Sequence, residues 1–226
     1  MPQRPVVLAN NEIYHVYNRS IARENVFAQN QKTNLNKAIE IVNYYRFPQK
    51  IRLSRFKLLP KELKKQYLDA LGSTVPLVEI YVFAFMPNHF HFLLKQIRDK
   101  GIAIFVANFQ NSFAKVFNLS NDRNGALFQN AFKAKRIATD EQFSHISRYV
   151  HLNPVTAYMI KFDKLATFEW TSFPAYASGA GEQTAFINSD FLLKMFGTRE
   201  KYMKFVADQV DYQRKLAFIK DLVIDD

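Results

Sequence analysis

The chain has 226 residues, no cysteine, and 31 Lys and Arg against 20 Asp and Glu, a formal net charge of +11. The missing cysteines exclude a disulfide framework, a cysteine-based zinc finger and a cysteine nucleophile, and a 48% hydrophobic share with 15% aromatics excludes wholesale disorder. The sequence lacks a signal-peptide core and any apolar run long enough to span a membrane, so it predicts a soluble, cytoplasmic protein, and its basic excess leans towards nucleic acid.

Residues 12–17 (EIYHVY) are aromatic and β-branched and read as a first strand. Over 30–45, Leu35, Ile39, Val42 and Tyr45 recur at helical spacing. Between Arg46 and Gln66 eight basic residues, among them Arg52 and Arg55, face one acid, Glu62. This stretch shows neither helical nor strand period, and it predicts an exposed basic excursion leading into a short helix at 60–71. Residues 77–85 read as a buried strand. The Met86-Pro87-Asn88 turn then joins it to a second strand at 89–95 in a hairpin.

Ile102, Val106, Phe109, Phe113, Val116 and Phe117 mark an amphipathic helix over 102–119. Residues 126–138 are strand-like. Thr139-Asp140-Glu141-Gln142 supplies a cap and an acidic first turn for a helix at 140–153, ending before Pro154. Residues 170–176 read as irregular, and a Gly/Ala/Ser linker at 178–181 precedes helices at 189–196 and 199–220. The order predicts an α+β fold, a ferredoxin-like antiparallel sheet with helices packed on it. The domain spans 11–177, with a linker and C-terminal helical appendage over 178–226.

Two groups carry candidate chemistry. His89 and His91 flank Phe90, and strand alternation sends both imidazoles to one face while Phe90 enters the core. Two such imidazoles can chelate a divalent metal, though H-x-H also arises in strands with no metal role. His145, Tyr149 and Asn153 lie four residues apart on one helix face. Tyr149 could act as an oxygen nucleophile and Asn153 as a carbonyl ligand. Taken alone, the triplet reads better as a solvated histidine, a core-edge tyrosine and a helix cap than as a site. His15 reads as an ordinary strand residue, His145 as a surface histidine, and His151 points away from Tyr149. Taken together, the two groups make a metal-assisted phosphoryl-transfer site, where a nearby cation would favour the phenolate.

Three motifs then carry a resemblance: Met86-Pro-Asn-His-Phe-His91, Gly125-Ala-Leu-Phe-Gln-Asn-Ala-Phe-Lys133 and Arg148-Tyr-Val-His-Leu-Asn-Pro-Val155. With Tyr14-His-Val-Tyr-Asn-Arg19 and Trp170-Thr-Ser-Phe-Pro-Ala-Tyr176, they resemble the single-tyrosine HUH transposases of the insertion-sequence 200/605 type, nearest their REP-associated branch. The resemblance implies cleavage and rejoining of single-stranded DNA at hairpin-bearing ends through a 5′-phosphotyrosine intermediate. It implies Tyr149 as nucleophile, His89, His91 and Asn153 as ligands of Mg²⁺ or Mn²⁺, and no nucleotide cofactor. Arg19, Arg52, Arg55, Lys133, Lys135 and Arg136 are the candidate DNA contacts, and the unit is a monomer or a homodimer. Two other readings stay open: a non-catalytic hairpin- or single-strand-binding protein, and a metallohydrolase in which Tyr149 is structural.

Overall fold

The computed structural model describes residues 6–27, 32–129, 131–179, 181 and 184–210. Four strands form one antiparallel sheet in the order β2-β3-β1-β4: β1 (Ile13–Arg19), β2 (Val78–Met86), β3 (His89–Gln96) and β4 (Lys133–Ile137). With α1 (Lys32–Tyr45) between β1 and β2, and α4 (Gly101–Ser120) between β3 and β4, this is the ferredoxin-like arrangement. The Pro87-Asn88 turn closes the β2–β3 hairpin, so the proline withholds no donor from the ladder.

The register assigns the two faces. Tyr17 pairs with His91, Arg19 with His89, His15 with Lys135 and Tyr17 with Lys133, so these side chains share one face. Tyr14, Val16, Phe90 and Phe92 point the other way, are fully buried, and pack under α1 and α4. There the core is a lattice of phenylalanines, with ring centroids 5.6 Å apart for Phe92–Phe105, 5.5 Å for Phe92–Phe109 and 4.7 Å for Phe27–Phe113. Each such pair contributes about 0.5–1.5 kcal/mol beyond its buried area. The start of α4 is tied to β3 by buried Gln96, whose Oε1 accepts from Ile102 N (3.2 Å). Gly101 is required there, because a Cβ would lie 2.2 Å from the Leu77 carbonyl oxygen.

The helix α5 (Asp140–Thr156) crosses the opposite face. Its start is a capping box: Thr139 Oγ1 accepts from Gln142 N (3.1 Å), and Gln142 Oε1 accepts from Ala138 N (2.9 Å). Helix α6 (Phe173–Ala177) is followed by α7 (Ser189–Phe196) and α8 (Arg199–Ala207), which pack back on this layer. Phe191 lies 5.4 Å from Tyr81 and 5.1 Å from Phe143, and Tyr202 Oη is 2.8 Å from His151 Nδ1.

Several elements differ from the pattern the sequence predicts. The helix α5 runs through Pro154 to Thr156, because only the last turn lies beyond the proline and little of the hydrogen-bond ladder is lost. Strand β4 holds only Lys133–Ile137, and among the described residues the preceding stretch makes one isolated β-bridge to the sheet, Ser20 to Phe128. The segment 170–176 is partly helical, as α6. The basic excursion contains a five-residue helix, α2 (Leu53–Lys57), too short to show a period, before α3 (Lys61–Gly72). The expected start of the first helix at Asn30 and the end of the last at Lys220 lie outside the described residues.

Candidate active site

Tyr149, on α5, stands over the sheet face that carries the two motif histidines. Its ring centroid is 6.0 Å from that of His91 and 6.2 Å from that of His15, both edge-on. A pocket of about 620 Å³ opens between α5 and strands β1, β3 and β4. Its walls include His89, His91, Tyr149, Arg19, Lys133 and Lys135. Of the ten site residues expected from the sequence, strand and helix thus bring six together here: Arg19, His89, His91, Lys133, Lys135 and Tyr149. Among the described residues no carboxylate lines the pocket.

Hydrogen bonds orient both imidazoles. His89 Nδ1 lies 2.6 Å from Asn88 Oδ1, and the Asn88 amide is set by Nδ2 donating to the Arg23 carbonyl (3.4 Å). Because Oδ1 can only accept, His89 Nδ1 carries the proton and Nε2 keeps a free lone pair. His91 Nδ1 lies 2.9 Å from His15 Nε2, and the two rings stack with centroids 5.1 Å apart. Tyr17 extends the stack, 5.1 Å from His15 and 5.7 Å from His91.

Electrostatics keep these groups uncharged. Burial, with Arg19 nearby, lowers His89 to about 4, and burial with Lys135 lowers His15 to about 4. His91 is lowered well below the ordinary value by burial and then by its His15, His89 and Arg19 neighbours. Burial raises the Tyr149 phenol, Tyr17 adds to the rise, and Arg19 opposes it. All three imidazoles are therefore neutral ligand-type bases at pH 7, and Tyr149 is a phenol with 38% of its surface exposed.

Other candidates fall elsewhere. Asn153 is 6% exposed, lies outside the pocket wall, and its Nδ2 is buried without a hydrogen-bond partner. Arg136 points to the other face of β4 and holds Glu12 through Nε (2.8 Å) and Nη2 (2.7 Å). Arg52 and Arg55 sit at α2, beyond the helical layer that covers the opposite face of the sheet. His145 lies beside Arg148, with Nδ1 2.8 Å from Nη2, and Arg148 stacks on Phe205 of α8. His151 is fully buried between Tyr202 and Ser172, bonding each at 2.8 Å. His15, an ordinary strand residue by sequence, belongs to the site. Its position two residues before Tyr17 on one strand is a usable signal, but only the β1–β3 register joins it to His91. Among the described residues no three His, Asp or Glu side chains converge to hold a metal.

The family model "Transposase IS200 like" matches residues 50–153, a span that includes His89, His91, Tyr149 and Asn153. The solved structure of a REP-associated tyrosine transposase bound to a REP hairpin shares the fold, with a TM-score of 0.53 at 14% identity. The alignment covers 81% of this chain and 90% of that one. No curated protein matches the chain in sequence. The family match begins after β1, so the strand that adds His15, Tyr17 and Arg19 to the pocket lies outside it. None of the helices described is long and apolar enough to cross a membrane.

Proposed function

We propose that the chain is a transposase that cleaves and rejoins single-stranded DNA at hairpin-bearing ends, with Tyr149 as its nucleophile. The observation that carries this reading is the placement of Tyr149 from α5 over His91, in a pocket lined by three cations and, among the described residues, no carboxylate. In the cleavage step Tyr149 Oη bonds to phosphorus and the bond from phosphorus to the 3′ oxygen breaks. The phenol gives up its proton, and the departing 3′ oxygen takes one up. The product is a 5′-phosphotyrosine and a free 3′-OH, and attack by a 3′-OH on that ester reverses the step. One phosphoester replaces another, so no nucleotide is consumed.

Two neutral imidazoles, His89 and His91, with no thiolate suit a divalent ion such as Mn²⁺ or Mg²⁺, whereas Asn153, outside the pocket wall, would join them only by turning its amide. Asn153 Nδ2 has no hydrogen bond to lose if the amide turns to present its oxygen. A bound ion of this kind polarises a phosphate oxygen and screens its charge. His15 serves as a positioning residue. With His91 Nδ1 donating to His15 Nε2, the His91 Nε2 lone pair is kept for ligation. Arg19, Lys133 and Lys135 attract the phosphodiester backbone into the pocket.

The test is covalent capture. A labelled hairpin with a single-stranded extension, incubated with the protein and Mn²⁺, should yield a protein–DNA adduct on a denaturing gel. Tyr149→Phe should bind the same DNA and yield none. An adduct that persists in Tyr149→Phe assigns the nucleophile elsewhere. Binding without any adduct in the unsubstituted protein supports the non-catalytic reading, and strand cleavage without an adduct supports the hydrolase.

A further inference from the structure

The pocket at Tyr149 holds a second phenol that the proposed reaction leaves unused. Tyr17, on β1, pairs with His91 of β3 on one side and with Lys133 of β4 on the other, which puts it at the centre of the pocket floor. Its ring lies against His15, with centroids 5.1 Å apart and planes at 30°, and against His91, at 5.7 Å and 28°. Tyr149 meets the same two imidazoles edge-on from α5. The two phenols thus line one space, and a charge on Tyr17 is felt at Tyr149. No hydrogen bond joins them. Among the described residues the Tyr17 hydroxyl bonds to no other group either.

Stacking accounts for the ring but not for the hydroxyl. A phenylalanine would lie on His15 and His91 equally well, and the hydroxyl adds only a hydrogen-bonding group with no partner in the fold. The other donors of the pocket are of a different kind: Arg19, Lys133 and Lys135 are exposed, on long flexible stems. Tyr17 is half-buried, has only two side-chain torsions, and is held by two stacked rings. A donor fixed in advance beside a nucleophile suits charge that develops only during the reaction, because nothing has to reorganise to meet it. In phosphoryl transfer that charge spreads over the equatorial oxygens of phosphorus, which include both non-bridging oxygens of a phosphodiester. We infer that Tyr17 is a catalytic residue, whose hydroxyl donates a hydrogen bond to one non-bridging oxygen of the scissile phosphate while Tyr149 attacks phosphorus. This role rests on the transposase reading above. Tyr17 keeps its proton and forms no covalent bond; the bonds to phosphorus change only at Tyr149 Oη and at the 3′ oxygen. The hydrogen bond strengthens as charge builds on its acceptor, so it favours the transition state over the bound substrate.

The test is single-turnover adduct formation on a saturating hairpin with a single-stranded extension, in Mn²⁺, by the unsubstituted protein and by Tyr17→Phe. The phenylalanine ring keeps the stack, so melting temperature, hairpin affinity and the Mn²⁺ affinity of the DNA-free protein should be retained. The rate of adduct formation should fall roughly 100-fold. The substrate is then made as its two phosphorothioate diastereomers at the phosphate that the unsubstituted protein cleaves. Each carries sulfur, a weak hydrogen-bond acceptor, in place of one non-bridging oxygen. One diastereomer should slow the unsubstituted protein and slow Tyr17→Phe no further, because the bond it removes is already gone. An unchanged rate in Tyr17→Phe overturns the role. A Mn²⁺ affinity that falls in step with the rate also overturns it, because the effect then runs through His91. Sulfur effects of equal size in both proteins overturn it as well, since Tyr17 then touches neither oxygen. Failure of the transposase reading looks different: the unsubstituted protein forms no adduct with the all-oxygen substrate, and Tyr17 loses its reaction along with Tyr149.

Discussion

Replacing His15 tests the internal logic of the pocket more sharply than replacing a metal ligand. His15 and His91 are 7% and 6% exposed, and their ring nitrogens meet each other at 2.9 Å. His15→Phe keeps a ring in the stack with Tyr17 but removes the acceptor, leaving a buried His91 Nδ1–H unpartnered. That omission costs about 1–3 kcal/mol. His91 can recover the loss in part by moving its proton to Nε2, which uses up the lone pair needed for an ion. The expected result is a Mn²⁺ affinity weakened roughly 10–100-fold, the usual range when such a supporting partner is removed. Titration calorimetry of the DNA-free protein reads it directly, and the imidazole nitrogen shifts in a ¹⁵N spectrum report the tautomer of His91. His15→Asn, whose shorter amide offers an oxygen acceptor, should recover part of the affinity. Unchanged Mn²⁺ affinity in a folded His15→Phe protein would refute the reasoning, because His91 would then need no help from β1.

Two further outcomes concern stability. The folded state holds His15 and His89 at about 4 and His151 at about 3 through burial, against 6.5 in an unfolded chain, so the unfolded state binds more protons in that window. Stability in denaturant titrations of the metal-free protein should therefore be full above pH 6.5 and fall as pH drops towards 4, and a His151→Phe protein should lose less of it. Gly101→Ala forces a methyl against the Leu77 carbonyl at 2.2 Å; it should destabilise by about 1–3 kcal/mol and lower the Tm by several degrees in calorimetry, while Gly72→Ala, with open space around it, should not.

The sheet, its order and the main helices are legible in the sequence because their residues alternate or recur at fixed periods. Tyr14, Val16, Phe90 and Phe92 announce the core face, and the i, i+4 phenylalanines announce α4. The pair His89 and His91 is legible for the same reason. Arg136 is legible too, since a strand with Lys133 and Lys135 on one face must send residue 136 to the other; grouping the three by charge hides that parity. What sequence does not supply are relations set by pairing and packing. The join between His15 and His91 depends on the β1–β3 register, and the burial of His151 depends on where Tyr202 of α8 lands. The stop expected at Pro154 fails because a proline near a helix end removes only a hydrogen bond that the last turn can spare.

Arg19 shows how one charge can serve several demands of the proposed phosphoryl-transfer pocket at once. It sits opposite His89 in the β1–β3 ladder and lines the pocket with Tyr149. After burial, its charge helps to lower the protonation of His89 and of His91, so both stay neutral. The same charge is the one neighbour that acts against the burial-driven rise of Tyr149, easing formation of the phenolate. In the proposed reaction it would also draw a phosphate towards Tyr149. These effects share a sign, because a neutral imidazole, a phenolate and a phosphodiester are all favoured by nearby positive charge. A carboxylate at this position would reverse each of them, and none lines the pocket among the described residues. The chain's excess of positive charge thus acts locally, through a residue in the first strand that the family match does not reach.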